Sequence, residues 1–422
     1  MRPAGNPAVA LAVMDPHAEP GARTSLAGPV GWVIAAHGLS SLAFFAFYGV
    51  VFVQAAYDHD AGPGQTAILG IALSIPFIFG SLLQGIVVDR WSPKWMAALG
   101  YAGVAAAVAV AWAGTSLGAL YASAFLVGIS FAAIEPARSS LTGLLVPEAG
   151  LVRANSFMAI SFQVALALGS LGGGAVLDLA GADVVYAIAF GVAVLPVLCM
   201  FAVPDVRPTG VTATLSFAAL REGARTAWHD RWLRLLLLVT GLGWALVNTF
   251  FVLEPIFVRE VLHQAQAALL FLWSAHGLAA VATAIVLATR VRTSRREPLI
   301  ICAGVALIGI GIFVYAAPAR YGLAFVGAAL QGIGFTLMYP PLLAFIQRQV
   351  AERERGRVTS VFVALQEAMG LLSSVVILSL GNVVPVQATL VAGGLLLAML
   401  GGVGVRAARR APTGAAVDGP SA

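Results

Sequence analysis

Apolar and polar positions along this chain fall into long blocks rather than into a period-two or period-3.6 alternation. Twelve apolar runs of about 20 residues or more occupy roughly 30–56, 66–88, 95–113, 117–138, 154–177, 183–203, 232–258, 268–289, 298–317, 321–346, 357–380 and 385–406. Each is long enough to cross a hydrocarbon core of about 30 Å as a helix. The pattern predicts an all-α membrane protein of twelve transmembrane helices, with short turns between successive spans. The longest internal break is 204–231, which holds Asp205, Arg207, Arg221, Glu222, Arg225, His229, Asp230 and Arg231. Within it, Ser216 is placed to cap a short surface helix whose apolar side is Phe217, Leu220, Ala224 and Trp228. The chain thus divides into a tail at 1–29, a six-helix bundle at 30–203, a linker at 204–231, a second bundle at 232–406 and a tail at 407–422.

The two halves repeat. At a shift of 204 residues, Gly128, Ile129, Phe131 and Pro136 fall on Gly332, Ile333, Phe335 and Pro340, and Arg153 and Ser156 fall on Arg357 and Ser360. Gln163 lands opposite Glu367. A shift of 202 sets Arg90, Ser92 and Lys94 against Arg292, Ser294 and Arg296, with Val291 opposite Asp89.

Composition sharpens this picture. The 422 residues are 60% hydrophobic and 10% charged, far too little charge for a soluble chain of this size. Arginine supplies the orientation. With both termini placed in the cytoplasm and loops assigned alternately, 22 of the 24 Lys and Arg residues fall on the inner side, and only Arg259 and Arg320 on the outer. This is a strong positive-inside bias, and it predicts a multi-pass plasma-membrane protein with both ends inside. Residues 1–29 lack the charged-then-apolar pattern of a cleaved signal, so the first run is expected to act as an uncleaved insertion signal. Cys199 and Cys302 lie inside apolar runs and read as buried thiols. No basic run with interleaved aromatics points to nucleic acid. There is no Gly-Lys-Ser/Thr phosphate loop, no His-Glu-x-x-His and no cysteine pair with metal spacing, so neither an enzyme nor a cofactor or metal site is expected.

Two stretches carry recognisable motifs. Gly85-Ile86-Val87-Val88-Asp89-Arg90-Trp91-Ser92-Pro93-Lys94 separates the second and third runs with charges that must lie at a membrane face. It resembles the loop signature of the major facilitator superfamily, Gly-x-x-x-Asp-Arg-x-Gly-Arg-Lys. Gly85, Asp89, Arg90 and Lys94 are kept, and Ser92 and Pro93 replace the usual Gly and Arg. The resemblance spans about 30–406. It implies two six-helix bundles related by a pseudo-two-fold axis, transport by alternating access, and a cytoplasmic gate at this loop. In that gate Asp89 is expected to latch onto the start of the eleventh span near Arg357, where a carboxylate meets a helix N-terminus and an arginine.

The stretch 135–174 is similar to the drug and siderophore exporters of the superfamily. Pro136-Ala137-Arg138, Leu145-Val146-Pro147-Glu148 and Arg153-Ala154-Asn155-Ser156 are followed by Ala165 to Gly174. That last segment matches an antiporter motif, Gly-x-x-x-Gly-Pro-x-x-Gly-Gly, at Gly169, Gly173 and Gly174, with Ser170 for the Pro and Ala165 for the first Gly. Small residues there allow close helix approach. The position where many proton-coupled members place a membrane arginine is Ala124.

Ionisable groups inside apolar runs are functional candidates. Glu367 lies about ten residues into the eleventh run, hence near the midplane at about 1.5 Å per residue, and Gln163 sits at equivalent depth in the fifth. Glu254 is near the outer end of the seventh run beside Pro255. Glu135 is three residues before Arg138 near the inner end of the fourth and reads as a structural ion pair with it. Asn248, His276, Gln331 and Gln366 are further midplane polar groups, suited either to a cavity wall or to contacts between helices. His37 and Gln84 lie nearer the inner face. Phe44, Phe45, Phe47, Tyr48, Trp244, Phe250 and Phe251 suit an amphiphilic substrate or lipid contact.

The residues and the resemblance together point to a secondary active, proton-coupled exporter of small amphiphilic compounds, monomeric in the bilayer. Its expected partners are a small-molecule substrate, protons and lipid. An importer or facilitator of the same fold is the second reading. A membrane sensor or lipid-moving protein is the third.

Overall fold

The computed structural model describes residues 28–88, 92–114, 116–207, 217–290 and 297–410, with backbone alone at 80–88, 148–149, 152, 217–220, 288–290 and 352–353. It is helical throughout the described residues. The helices are α1 Pro29–Tyr57, α2 Pro63–Val88, α3 Pro93–Ala113, α4 Leu117–Leu145, α5 Glu148–Ala180, α6 Ala182–Phe201, α7 Phe217–His229, α8 Arg231–Glu260, α9 Ala267–Arg290, α10 Glu297–Ala316, α11 Tyr321–Gln349, α12 Glu352–Leu380 and α13 Val386–Arg410. Eleven of them contain described stretches long and apolar enough to span a membrane. The remaining span, α2, runs 26 residues, and its described side chains cover the apolar stretch Pro63–Phe79. With α7 set aside, twelve helices match the twelve runs.

Local chemistry sets several ends. Proline occupies the first turn of α1 and α3, where its missing N–H costs nothing. Asp230 caps α8, accepting at 2.8 Å from both the Trp232 and Leu233 amides. Ser116 does the same for α4, accepting from the Ala119 amide.

Helices α1–α6 form one bundle and α8–α13 the other, and their pairings correspond. The α2–α4, α3–α4, α3–α6 and α1–α5 contacts recur as α9–α11, α10–α11, α10–α13 and α8–α12. The correspondence reaches single residues at the shift seen in the sequence. Gly128 of α4 lies against the Leu73 carbonyl and Pro76 of α2, and Gly332 of α11 against the His276 carbonyl of α9. Gly100 of α3 faces Ile134 and the Ser130 carbonyl of α4. Gly304 of α10, 204 residues on, faces Met338 and the Gly334 carbonyl of α11. Glycine recurs because a β-carbon at these crossings would collide with the neighbouring backbone. The bundles join through α5 on α9 and, symmetrically, α12 on α2.

The linker helix differs in one respect from the sequence expectation. Its buried residues include Gly223 and Ala227, with Gly223 seated against the Arg357 backbone of α12, while Trp228 is 51% exposed. The helix turns its smallest residues inward because it packs on another helix. Trp228 instead lies beside the Arg234 guanidinium. Ser216 lies outside the described residues. Cys199 and Cys302 are free and buried.

Candidate functional site

The space between the bundles is closed at one end. There the α1–α2 connection meets the α8–α9 connection. Asp58 accepts from Gln266 at 2.8 Å, Asp60 pairs with Arg259 at 3.1 Å, and the Tyr57 hydroxyl donates to the Gln264 carbonyl at 2.8 Å. The Gly64 amide donates to Asn382 at 3.4 Å. Among the described residues, glycines pack across the bundle boundary in the same half. Gly49 faces Leu270 and Trp273, Gly70 faces Ser374, and Gly277 faces the Ala167 backbone. Among the described residues, no hydrogen bond joins the bundles at the arginine-rich end. The polar contacts seen there between described residues stay within one half or run to the linker. Arg357 pairs with Glu222 at 2.5 Å, Thr226 donates to Glu354 at 3.3 Å, Gln349 donates to Asp230 at 2.9 Å, and Arg348 pairs with Glu297.

The loop motif sits at that second end. Gly85 is in α2, and Asp89 and Arg90 lie outside the described residues. The expected latch thus falls outside the described residues; at its α12 end, Arg357 bonds Glu222 of the linker. Lys94 is buried in the first turn of α3, its Nζ 5.2 Å from the Trp95 ring centre. Ser92, buried at the N-cap of α3, donates to the Asp205 carboxylate beyond α6. The residue that departs from the family's usual glycine thus ties the loop to the end of its own bundle.

In α5, the antiporter-like segment is a surface of close approach. A β-carbon on Gly169 would stand 2.7 Å from the Leu42 carbonyl oxygen, and one on Gly173 would stand 3.0 Å from that of Ala46, both on α1. Gly173 and Gly174 also face Leu270 of α9, across the bundle boundary. Ser170 is fully buried, and its hydroxyl has no hydrogen-bond partner among the described residues.

The candidate polar groups separate by their partners. Asn248 is engaged within its bundle. Its Nδ2 lies 2.9 Å from the Gly370 carbonyl, 2.8 Å from Ser373 Oγ and 3.0 Å from Ser374 Oγ, all on α12. Glu254 is 2% exposed and accepts from Trp273 Nε1 at 2.8 Å and Tyr315 Oη at 2.7 Å, so one carboxyl joins α8, α9 and α10. Gln331 is buried against Gly311 at the α10–α11 crossing. The His276 ring lies 6.2 Å from that of Phe335. The His37 ring stacks on Phe162. Glu135 and Arg138 form an ion pair at 2.5 Å, and Arg138 Nη1 also lies 2.9 Å from Met158 Sδ.

Gln366 is buried, and its Nε2 has no hydrogen-bond partner among the described residues. Glu367 and Gln163 remain. Both are half-buried, and neither makes a hydrogen bond or ion pair among the described residues. Glu367 lies within electrostatic range of Tyr339, which also lies within range of Glu135 and Arg138 on the other bundle. Tyr339 thus has charged groups of both halves in its surroundings. It stacks on Phe335 at 5.6 Å, and Phe335 neighbours Trp244. On the opposite bundle, Phe44 packs against Phe45, Phe131 and Tyr48 with centroids 4.7–5.1 Å apart. Aromatic rings thus line both bundles.

Sequence reasoning did not single out Trp273, Tyr315 or Tyr339. A signal for the first two was present, because a buried indole N–H or phenol O–H needs an acceptor and Glu254 is the carboxylate at that depth. This contact yields a prediction. Glu254→Leu leaves both donors unpaired at a cost of about 1–3 kcal/mol each, so the melting midpoint in detergent falls sharply. Glu254→Gln keeps an acceptor oxygen and costs much less. Equal melting of the two variants would count against the network as described.

Comparison with known proteins agrees with this architecture. A profile of the Major Facilitator Superfamily matches residues 33–374. The multidrug efflux pump Tap of Mycobacterium tuberculosis (strain ATCC 25618 / H37Rv) is 26% identical over 380 residues, covering 85% of this chain and 88% of the pump. The lysophospholipid transporter LplT of Klebsiella pneumoniae (strain 342) is 31% identical over 242 residues, 55% of this chain and 57% of that protein. Among solved structures, the nucleoside transporter NupG superposes with a TM-score of 0.66 at 14% identity, covering 91% of this chain and 100% of that one. The POT family transporter PepTSo superposes at 0.69 and 12%, covering 90% and 98%. Paired bundles, the repeat within them and the match over residues 33–374 lead to one conclusion: this chain belongs to the major facilitator superfamily, a family of membrane transporters.

Proposed function

We propose that this protein is a proton-coupled exporter of small amphiphilic compounds, with Glu367 as its coupling group. The observation that carries the reading is Glu367 itself. It is a carboxyl inside a membrane helix, free of hydrogen-bond and ion-pair partners among the described residues, near the boundary between two aromatic-lined bundles. A committed structural carboxyl looks like Glu254, with a donor on each oxygen. An uncommitted one is available to a proton or to a cationic substrate. The similarity to an efflux pump over 85% of the chain supports the outward direction. A second reading, movement of a lipid-like amphiphile, draws on the similarity to a lysophospholipid transporter over 55% of the chain. The test is transport in proteoliposomes of the purified chain. An imposed proton gradient drives a fluorescent amphiphilic cation opposite to the protons, and accumulation stops when an ionophore collapses the gradient. Accumulation indifferent to the ionophore would sink the proton-coupled reading.

Orientation is part of the proposal. Both termini and the linker lie in the cytoplasm, and the closed end faces outward, so this conformation takes substrate from inside. The arginine distribution supports this. Cysteine placed at Gly62 is expected to react with an impermeant maleimide in intact cells, and cysteine placed at Arg225 is expected to react only after permeabilisation. The reverse labelling would invert the topology. The protein is proposed to act as a monomer in the plasma membrane.

A further inference from the structure

We infer that Glu135 and Arg138 form a head-group site for a zwitterionic amphiphile bearing a phosphate and an amine. This rests on the amphiphile-transport reading above and narrows it to a substrate class.

The pair is less complete than a structural ion pair needs to be. A guanidinium carries five N–H donors. Arg138 directs Nη2 to Glu135 and Nη1 to the Met158 thioether, a weak acceptor. Its Nε is buried with no hydrogen-bond partner among the described residues. One oxygen acceptor for a buried cation leaves strong donors unused, a costly arrangement unless something else supplies the acceptors. The opening is on the carboxylate side. The Glu135 side chain is 42% exposed, against 18% for Arg138.

Position favours a ligand over a packing role. Glu135 lies one helical turn from Phe131, whose ring meets Phe44 at 5.1 Å, with Tyr48 beyond it. Those rings offer an apolar wall beside the charges, as a molecule with a charged head and an apolar tail requires. From the other bundle, Tyr339 stands within electrostatic range of both charges and bonds neither. His37 lies within the same range.

The chemistry selects the ligand. A phosphate takes charge-assisted bonds from the part of the Arg138 guanidinium side chain that remains exposed. An ammonium matches the second oxygen of Glu135. A purely anionic head would meet Glu135, and a purely cationic head would meet Arg138. A head carrying both charges satisfies both. Such a head belongs to a lysophospholipid or to a soluble phosphoester amine.

The experiment is calorimetric binding to the full chain in maltoside micelles. The ligands share one short tail and differ in the head: hexylphosphocholine, hexyl phosphate, hexyltrimethylammonium and hexyl glucoside, with tailless phosphocholine as the fifth. The zwitterion is expected to bind tightest to the wild type. Arg138→Gln should weaken hexylphosphocholine and hexyl phosphate by about tenfold or more, the loss of charged hydrogen bonds, and leave hexyltrimethylammonium no weaker. Glu135→Gln should weaken hexyltrimethylammonium and strengthen hexyl phosphate. Arg138→Lys keeps the charge without the planar edge and should fall between. Binding of tailless phosphocholine would assign a soluble source, and dependence on the tail a lipid source. Equal binding of all heads by the wild type overturns the head-group site and leaves amphiphile transport standing. Uniform loss of all ligands in the variants, with a fall in melting temperature, makes the pair structural and overturns it too. No binding of any tailed ligand overturns both. If Arg138→Gln does not fold, the wild-type head series and Arg138→Lys decide.

Discussion

Glu367→Gln is expected to abolish accumulation of substrate against its gradient while leaving downhill exchange in place. Glutamine preserves the shape of the side chain and its capacity to hydrogen-bond, but it cannot exchange a proton. An antiporter needs a group that releases its proton when substrate binds and regains it when substrate leaves. If Glu367 is that group, the accumulation ratio collapses to its equilibrium value, and the pH dependence of exchange flattens. The prediction can be sharp because Glu367 holds nothing together among the described residues, so its replacement should not disturb folding. That separates it from Glu254, whose loss unpairs Trp273 and Tyr315. The measurements are uphill uptake and counterflow in the same proteoliposomes, with the melting midpoint as control. Uphill transport retained at wild-type pH dependence would return the coupling role to other groups.

The second large effect is expected from Gly332→Val, which should leave little folded protein in the membrane. A β-carbon at Gly332 would press into the His276 carbonyl, which is backbone and cannot rotate away. Helix α9 would have to move off α11 as a whole. Overpacking of this kind costs about 1–3 kcal/mol or more in a dense core. Gly128→Val meets the same obstacle against Leu73 and should fail to a similar degree, because the two crossings are copies. Gly172→Val is the matched control, since nothing lies within 4 Å of a β-carbon there. Fluorescence size-exclusion profiles of the three variants would settle the comparison. Folding of Gly332→Val at the control's level would mean that α9 and α11 do not cross so closely.

Much of the fold was legible in the sequence because the bilayer imposes a local rule. A span must be long, apolar and helical, since lipid offers its backbone no partners. Twelve runs therefore became twelve helices without knowledge of any long-range contact. The repeat was legible for a related reason: Gly128 and Gly332 occupy equivalent crossings that only glycine fits. The linker was half-legible. Its helix was foreseen, but the choice of Gly223 and Ala227 over Trp228 as part of its buried side required α12 as a neighbour.

The candidate residues divide along the same line. Their depth in the membrane follows from counting along a helix, so Glu367, Gln163 and Asn248 could be placed near the midplane from the sequence by itself. Their partners could not. Asn248 bonds a carbonyl 122 residues away, and Glu254 accepts from Tyr315 at a separation of 61. Those pairings depend on how each helix is rotated about its axis, and rotation is settled by which small residues let neighbouring helices touch. The number of spans, their depth markers and the repeat were thus readable from the chain's pattern. That Asn248 and Glu254 are bound into their bundle, while Glu367 has no such partner among the described residues, followed from packing, because a hydrogen bond between helices exists only once both are packed.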